Sequence, residues 1–202
     1  MKKISYEKAL EKIGNAYIEI IDTLHMYHGL DWTEDPNFDG TPGRCARSLL
    51  NERCIGMTYK DKCKEILNVR FPSEYNGFII ASPITVSSLC PHHLENVTYK
   101  VVMGYIPSGN GVIGLSKIGR VIKLVGHAPI LQENYVKLLA DIFEDELKPE
   151  GIGVIVKGQH NCMIARGLQQ PDVWVTMSEM RGSFRDNSSV KSEFLKLCSN
   201  DI

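Results

Sequence analysis

Two short clusters of thiols and imidazoles stand out in this sequence as groups that could bind a metal ion. The first is SLCPHHL at residues 88–94, in which Cys90 and His93 stand three positions apart. Two ligands at that spacing in a tight turn can reach one ion, and Pro91 would stiffen the turn. By itself, the spacing is also compatible with a buried thiol beside a surface histidine.

The second cluster, Gln-His-Asn-Cys, ends at Cys162 and changes how the first is interpreted. Both clusters follow segments that are predicted to be strands, and strand ends of one sheet can converge in space. Cys90, His93 and Cys162 would then be three ligands, the layout of a catalytic zinc, whereas structural zinc sites usually have four. His92 and His160 would remain to move protons near neutral pH. The alternative is that one of these two histidines is a fourth ligand and the site is structural.

Basic residues recur at positions that suit phosphate oxygens. Arg44 and Arg47 stand three apart on a short predicted helix, so they share a face, and Lys117 and Arg120 repeat that spacing. Arg166 follows the second cluster closely. Helix starts and arginine side chains favour phosphate groups, although any one pair alone is more typical of a solvated charged face.

Gln132 and Glu133 lie near the start of a longer predicted helix and are candidates for reading a purine base. A carboxylate can accept two hydrogen bonds, from the N1–H and from the 2-amino group of guanine. Without other evidence, this pair would be interpreted as ordinary exposed helix residues.

The elements that must position these residues begin with helices. Apolar residues recur at helical spacing over 5–28, and Thr41-Pro42 is expected to open a short helix with Thr41 as its N-cap. A further helix is predicted over 60–68, and Ser116 is expected to cap another one.

From residue 77 onwards the order becomes strand–strand, helix–helix, strand–strand, with a last helix at 188–198. This order predicts an α+β fold, in which an antiparallel four-stranded sheet carries helices on one face. We therefore expect an N-terminal helical region at 1–70 and a catalytic domain at 71–202.

Composition narrows the class of protein. A chain of 202 residues with 43% hydrophobic content suits one sizeable globular domain, and its net charge of −1 gives no basic bias towards nucleic acid. No apolar run approaches the roughly 18 residues of a membrane span, and we expect no secretory signal. The six cysteines are then expected to be reduced thiols of a cytoplasmic protein.

Several motifs occur in one order along most of the chain, and together they are far more specific than any one alone. In order, the motifs are DGTPGR (39–44), CPHH (90–93), GYIP (104–107), GLSKIGR (114–120), QE (132–133), HNCM (160–163), ARG (165–167) and EFL (193–195). They are similar in type and spacing to those of the GTP cyclohydrolase I family, zinc enzymes that make dihydroneopterin triphosphate.

This resemblance implies a role for each matched position. It makes Cys90, His93 and Cys162 the zinc ligands, and His92 and His160 the catalytic histidines. The substrate-binding positions that it implies are Ser116, Gln132 and Glu133 around the guanine and Arg44, Arg47, Lys117, Arg120 and Arg166 around the triphosphate.

The resemblance also implies the reaction and the assembly. Zinc activates water, the imidazole ring of the guanine of GTP opens with the help of His160, formate leaves, and the rest rearranges to 7,8-dihydroneopterin triphosphate. The implied fold is the tunnelling (T-) fold. The implied assembly is a homo-oligomer, typically a decamer of two pentamers, with active sites at subunit interfaces. GTP is the expected substrate, and neither nucleic acid nor a membrane is expected as a partner.

The sequence departs from the family at a few positions. Pro91 replaces the usual Glu, Asn134 replaces an Arg, and the segment 126–131 lacks its usual arginines. Two other interpretations compete with this one. The chain could be another T-fold enzyme for a purine or pterin ligand, although the nitrile reductase relatives lack this zinc set. It could also be a non-catalytic protein with a structural zinc, which leaves the phosphate-type residues unexplained.

Overall fold

The computed structural model describes residues 3–109 and 111–200. Its contacts divide the chain into two compact units, Met1–Cys54 and Ile55–Ile202. The division falls ahead of the boundary near residue 70 that the sequence suggested. The reason is that the helix Tyr59–Leu67 packs against helices of the second unit.

The first unit is helical, as the periodicity predicted. Helix α1 (Tyr6–His28) ends at Gly29, whose φ of 70° lies in the left-handed region that favours glycine. Helix α2 (Thr41–Ser48) packs against α1 and begins at Thr41 itself, with Gly40 at the N-cap. The expected Thr41 cap is therefore wrong, because the Thr41 hydroxyl accepts a hydrogen bond from Arg44 instead.

The second unit is an α+β domain, as the sequence predicted. Its helices and strands, in chain order, are α3 (Tyr59–Leu67), β1 (Arg70–Phe71), β2 (Ile79–Cys90), β3 (Glu95–Ile106), β4 (Val112–Ile113), α4 (Leu115–Gly126), α5 (Gln132–Leu147), β5 (Gly151–His160), α6 (Asn161–Ile164), β6 (Val175–Gly182), α7 (Ser183–Asp186) and α8 (Ser188–Leu197).

A four-stranded antiparallel sheet in the order β2-β3-β5-β6 lies at the centre of this unit. Cys90 pairs with Glu95 across the β2–β3 turn, and two residues further along β3, Val97 pairs with His160 at the end of β5. The last residues of β2 and β5 therefore lie at the same end of the sheet, which is the convergence that the sequence predicted for the two clusters.

Alternating residues on each strand divide the core between the two faces of the sheet. Tyr99 and Val101 of β3 pack on the face that carries α4 and α5, whereas Val102 packs on the other face. There it contacts Phe184 and Phe194 from the C-terminal helices. The predicted helical layer is thus present, and α7 and α8 additionally cover part of the second face.

Helix α4 begins two residues before the position that the sequence indicated. Its N-cap is Gly114, and Ser116 lies in its first turn, so the expected capping role of Ser116 is wrong. None of the helices in 3–109 and 111–200 combines the length and hydropathy that a membrane span requires.

Candidate active site

The turn between β2 and β3 carries the first cluster. Cys90, the last residue of β2, is only 3% exposed, and the turn after it is closed by the Leu94 N–H, which donates to the Cys90 carbonyl oxygen at 2.8 Å. His92 and His93 lie in this exposed turn, and their ring centroids are 6.5 Å apart. His92 Nδ1 lies 3.7 Å from Cys90 Sγ, so the first histidine of the pair contacts the thiol directly.

The end of β5 carries the second cluster and brings it to the first. Cys90 Sγ, Cys162 Sγ and a ring nitrogen of His160 all lie within 4.8 Å of one another. The two clusters therefore meet, as predicted. Among the residues that the structure describes, this group contains His160, expected to be catalytic, and does not contain His93, expected to be the third ligand. His93 lies in the exposed turn after Cys90, outside this group.

The electrostatics of this group suit a cation. Burial raises the pKa of the Cys162 thiol, and the charge of Cys90 and a hydrogen bond with that neighbour raise it further. Two adjacent thiols resist ionisation together, and a divalent cation between them would reverse this effect. Thiolate and imidazole ligands are the set that zinc prefers.

The hydroxyl of Tyr99 is a second sign that the region around Cys90 and Cys162 binds a polar ligand or an ion. Tyr99 is completely buried, and its hydroxyl has no hydrogen-bond partner among the described residues. Burial raises the pKa of Tyr99, and the charges of Cys90, Glu133 and Cys162 raise it further, which places the phenol beside the group. A buried hydroxyl without a partner is costly and usually marks a functional requirement. The thiols of Cys90 and Cys162 and the imidazole of His160 are therefore suitable ligands for a zinc ion, and the unpaired Tyr99 hydroxyl could hydrogen-bond to a further group bound there.

His160 has a buried partner that sequence reasoning placed elsewhere. Its Nε2 lies 2.8 Å from Oε1 of Gln132, which is 2% exposed and whose amide nitrogen donates to the carbonyl oxygens of Val156 and Val175. Every polar atom of this amide is used inside the protein. The side chain of Gln132 therefore faces the protein interior, and its contact with guanine stays a prediction.

A signal for the burial of Gln132 was present in the sequence. Gln132, Tyr135, Val136 and Leu139 follow the i, i+3, i+4, i+7 spacing of one helix face, and all four are buried. The apolar partners on that face indicate that the side chain of Gln132 points into the core.

Glu133 remains beside the site and accessible to solvent. Burial lowers the pKa of His160, the charge of Glu133 opposes this by raising it, and His92 lowers it again. The exposed carboxylate at the start of α5 is therefore close enough to influence both His160 and Tyr99.

The residues of the second unit that were predicted to bind the substrate do not form one cluster. Arg166 is exposed just after α6, and its charge lowers the pKa of Cys162, so it is close to the thiols. Ser116 and Arg120 line a surface cleft of about 480 Å³ against Thr85 of β2. Lys117 Nζ donates to the Ile66 carbonyl oxygen at 2.9 Å and is only half-exposed.

Arg44 and Arg47 lie on α2 of the first unit, and both are exposed. The guanidinium of Arg44 donates to the Asp39 carbonyl oxygen and to the Thr41 hydroxyl, both at 2.7 Å. These contacts fix the orientation of its side chain along the start of the helix.

Comparison with known proteins decides the family. The family model described as GTP cyclohydrolase I matches residues 19–199, which span both units. The chain belongs to the GTP cyclohydrolase I family. The sheet β2-β3-β5-β6 with α4 and α5 on one face is accordingly the T-fold of this family, as the sequence predicted.

Individual members of the GTP cyclohydrolase I family align over most of this chain. GTP cyclohydrolase 1 of Teredinibacter turnerae is 36% identical over 166 residues, which cover 82% of this chain and 88% of that protein. GTP cyclohydrolase 1 of Dehalococcoides mccartyi is 35% identical over 168 residues, covering 81% and 87%. GTP cyclohydrolase 1 of Halalkalibacterium halodurans is 32% identical over 200 residues and covers 98% of both chains.

One solved structure also aligns with part of the chain. The crystal structure of the archaeosine synthase QueF-Like in the apo form covers 55% of this chain and 96% of its own, with a TM-score of 0.42 and 18% identity. This similarity is too low to support a conclusion about the fold or the activity of this chain.

Proposed function

We propose that this chain is a GTP cyclohydrolase I, which hydrolyses the imidazole ring of the guanine of GTP and releases formate. One observation carries the proposal: in a member of this family, Cys90, Cys162 and His160 lie within 4.8 Å of one another at one end of the sheet. This group combines metal-binding thiols with an imidazole that can move a proton.

Zinc is the proposed cofactor, held by Cys90, Cys162 and His93. His93 is proposed because it follows Cys90 by three residues in an exposed turn and matches the ligand position that the family resemblance implies. When bound, zinc supplies a Lewis acid that lowers the pKa of a water molecule to near neutrality.

The proposed work of the protein side chains is binding and proton transfer. Glu133 accepts hydrogen bonds from N1–H and the 2-amino group of guanine, which fixes the base in the site. His160 first takes up a proton on its second ring nitrogen and then donates it to N7 as C8 is hydrated, and His92 assists the later proton transfers. Two hydrolytic steps release C8 as formate, and closure of the new ring returns one water, so the net reaction consumes one water per GTP.

Binding of the triphosphate is assigned to the exposed basic residues. We propose Arg120 and Arg166 as its main contacts, and Arg44, Arg47 and Lys117 as further members of the positive surface. Arginine suits this role because its planar fork pairs with two phosphate oxygens at once.

The proposed assembly is a homo-oligomer with active sites shared between subunits, most simply a decamer of two pentamers. Ser116, proposed to contact the guanine, lies beside Thr85, and Thr85 is about 16 Å along β2 from Cys90 at the usual rise per residue. A guanine ring is shorter than that distance. A neighbouring copy of the chain is therefore the proposed source of Ser116 and Arg120 at each site.

Incubation of the zinc-loaded protein with GTP tests this function. We expect equimolar formate and 7,8-dihydroneopterin triphosphate, the latter detected by its fluorescence after oxidation. Full zinc occupancy without consumption of GTP would indicate a structural metal site instead, and consumption without formate would indicate another reaction of a T-fold enzyme.

A further inference from the structure

The side-chain amide of Gln132 has a single orientation that its hydrogen bonds can satisfy. Its Nε2 lies 2.9 Å from the Val156 carbonyl oxygen and 2.8 Å from the Val175 carbonyl oxygen. Carbonyl oxygens only accept hydrogen bonds, so both amide hydrogens are used and the amide oxygen must face the other way.

This orientation determines which nitrogen of His160 carries a hydrogen. Gln132 Oε1 can only accept a hydrogen bond, and it lies 2.8 Å from His160 Nε2. Nε2 must therefore be the protonated nitrogen. Since a neutral imidazole carries one N–H, Nδ1 of His160 is left bare, available to a proton or to a metal ion.

The surroundings of Gln132 are shaped to hold this arrangement. A Cβ on residue 158 would lie 2.4 Å from Gln132 Oε1, so Gly158 leaves the space that the amide occupies. The ring of Tyr99 also borders this space, packs edge-on against His160 at 6.0 Å and stacks on Tyr135 at 5.1 Å.

Gln132 also bridges two strands, which explains why it is rigid. Val156 lies within β5, and Val175 is the first residue of β6, so the amide ties two neighbouring strands to the start of α5. At 2% exposure, Gln132 is almost completely enclosed by the protein around it.

We propose that Gln132 is a positioning residue that holds His160 as the Nε2–H tautomer and thereby presents Nδ1 as its reactive nitrogen. The use made of Nδ1 rests on the proposed function, whereas the tautomer does not. Partners of this kind set ring orientation and basicity, and their loss typically costs 10- to 100-fold in activity or metal affinity.

Nitrogen NMR of protein labelled at histidine tests the tautomer directly. In mildly alkaline buffer, protonated and bare imidazole nitrogens have well-separated ¹⁵N resonances, and a His160→Ala spectrum assigns the signals among the six histidines. We expect Nε2 protonated and Nδ1 bare in the unaltered protein. Nδ1 protonated would overturn the proposal, whatever the variants do.

Two substitutions separate positioning from contact with the substrate. Gln132→Met keeps the length and removes the hydrogen bonds, so we expect mixed tautomers and a kcat about 10- to 100-fold lower, with KM for GTP unchanged. Gln132→Glu keeps an oxygen towards His160 but loses the donor to the Val156 and Val175 carbonyl oxygens, so we expect Nε2 to stay protonated while the fold loses stability. An unchanged ¹⁵N pattern in Gln132→Met, or a raised KM with kcat retained, contradicts the proposal.

Gln159→Met is the matched control. Gln159 precedes His160 on β5 and therefore lies on the other face of the strand, where its amide donates to the Pro171 carbonyl oxygen. We expect this variant to keep the tautomer and kcat. If the unaltered protein has no activity on GTP, the proposed function fails, but the ¹⁵N pattern still decides whether Gln132 holds the tautomer.

Discussion

Either His93 or His160 could be the third ligand of the metal ion, and the other histidine would then be left to transfer protons. The structure places His160 with Cys90 and Cys162, whereas the proposed third ligand is His93. The two assignments are compatible if the exposed turn delivers His93 to the metal. His160, held through Nε2 by Gln132, would then stay beside the metal as a proton carrier.

Zinc content of two alanine variants distinguishes the ligand from the proton carrier. We expect His93→Ala to lose most of its zinc, because two thiolates alone hold the ion weakly, and His160→Ala to keep zinc but release no formate. Metal analysis after dialysis and a formate assay measure both effects. His28→Ala, at the exposed end of α1, is the control and should match the unaltered protein.

The opposite pattern of zinc loss in the two variants would identify His160 as the ligand. Loss of zinc in His160→Ala with retention in His93→Ala would make His160 a ligand, in agreement with the group that the structure forms. The assignment of His93 would then be wrong.

At the scale of elements, Arg181 joins the edge strand β6 to helix α5. Its side chain is 14% exposed and contacts Glu144 at 2.7 Å, Asp141 at 2.6 Å and Glu179 at 3.1 Å. Burial favours the neutral guanidine, but hydrogen bonds to its three carboxylate partners outweigh this and raise the pKa of Arg181. Since Gln132 begins α5, this network helps hold the helix that carries Gln132 and Glu133.

Arg181→Met should lower the free energy of unfolding by about 1–2 kcal/mol. This loss is larger than the loss of an exposed ion pair would cause, because Arg181 is largely buried.

The stability that Arg181 contributes should depend on pH through Asp141. Burial raises the pKa of Asp141, but hydrogen bonds from Lys137 and Arg181 outweigh this effect, and the pKa is lowered from 3.8. A lowered carboxyl pKa stabilises the fold above pH 3.8 and loses that effect as the pH falls below it.

Urea unfolding at several pH values measures this contribution. The difference between the unaltered protein and Arg181→Met should be constant near neutral pH and shrink as Asp141 becomes protonated. Arg185→Met, in a pair exposed on both sides, is the control and should change stability little. A difference that grows towards low pH would contradict the role of Asp141.

At the scale of the whole molecule, the proposed active site draws its residues from more than one copy of the chain. Cys90 of the metal group lies at the end of β2, whereas Ser116 and Arg120 line a cleft further back along the same strand. In the proposed ring, each active site takes the metal group from one copy and the cleft residues from another. Such sharing makes catalysis depend on assembly.

Mixing two inactive variants tests whether sites are shared. Cys90→Ser removes a metal ligand and Arg120→Ala removes a phosphate contact, and each protein alone should be nearly inactive. Random co-assembly of equal amounts should restore about a quarter of full activity if the two residues come from different subunits. Native mass spectrometry confirms that mixed oligomers have formed.

The alternative outcome is equally specific. If both residues serve the same site from one chain, no mixed oligomer contains an intact site and activity stays at background. Separately assembled oligomers mixed without exchange give the baseline.

The sequence by itself determined the class of this protein. Motif order identified the family, strand and helix periodicities predicted the α+β domain, and the two Cys/His clusters were correctly expected to meet at one end of the sheet. These features depend on local patterns, on alternation along strands and on residue types at fixed spacing, which can be read along the chain.

Only the tertiary structure decided which partners the key side chains have. The helical spacing of Gln132 with buried apolar residues could have indicated that it faces the core, but it was predicted as a purine contact, and the carbonyl oxygens that orient its amide belong to Val156 and Val175, on strands that follow α5 in sequence. A buried polar group must find its partners wherever the fold places them. For this reason the orientation of Gln132, and with it the nitrogen that His160 offers, could not be derived from the sequence.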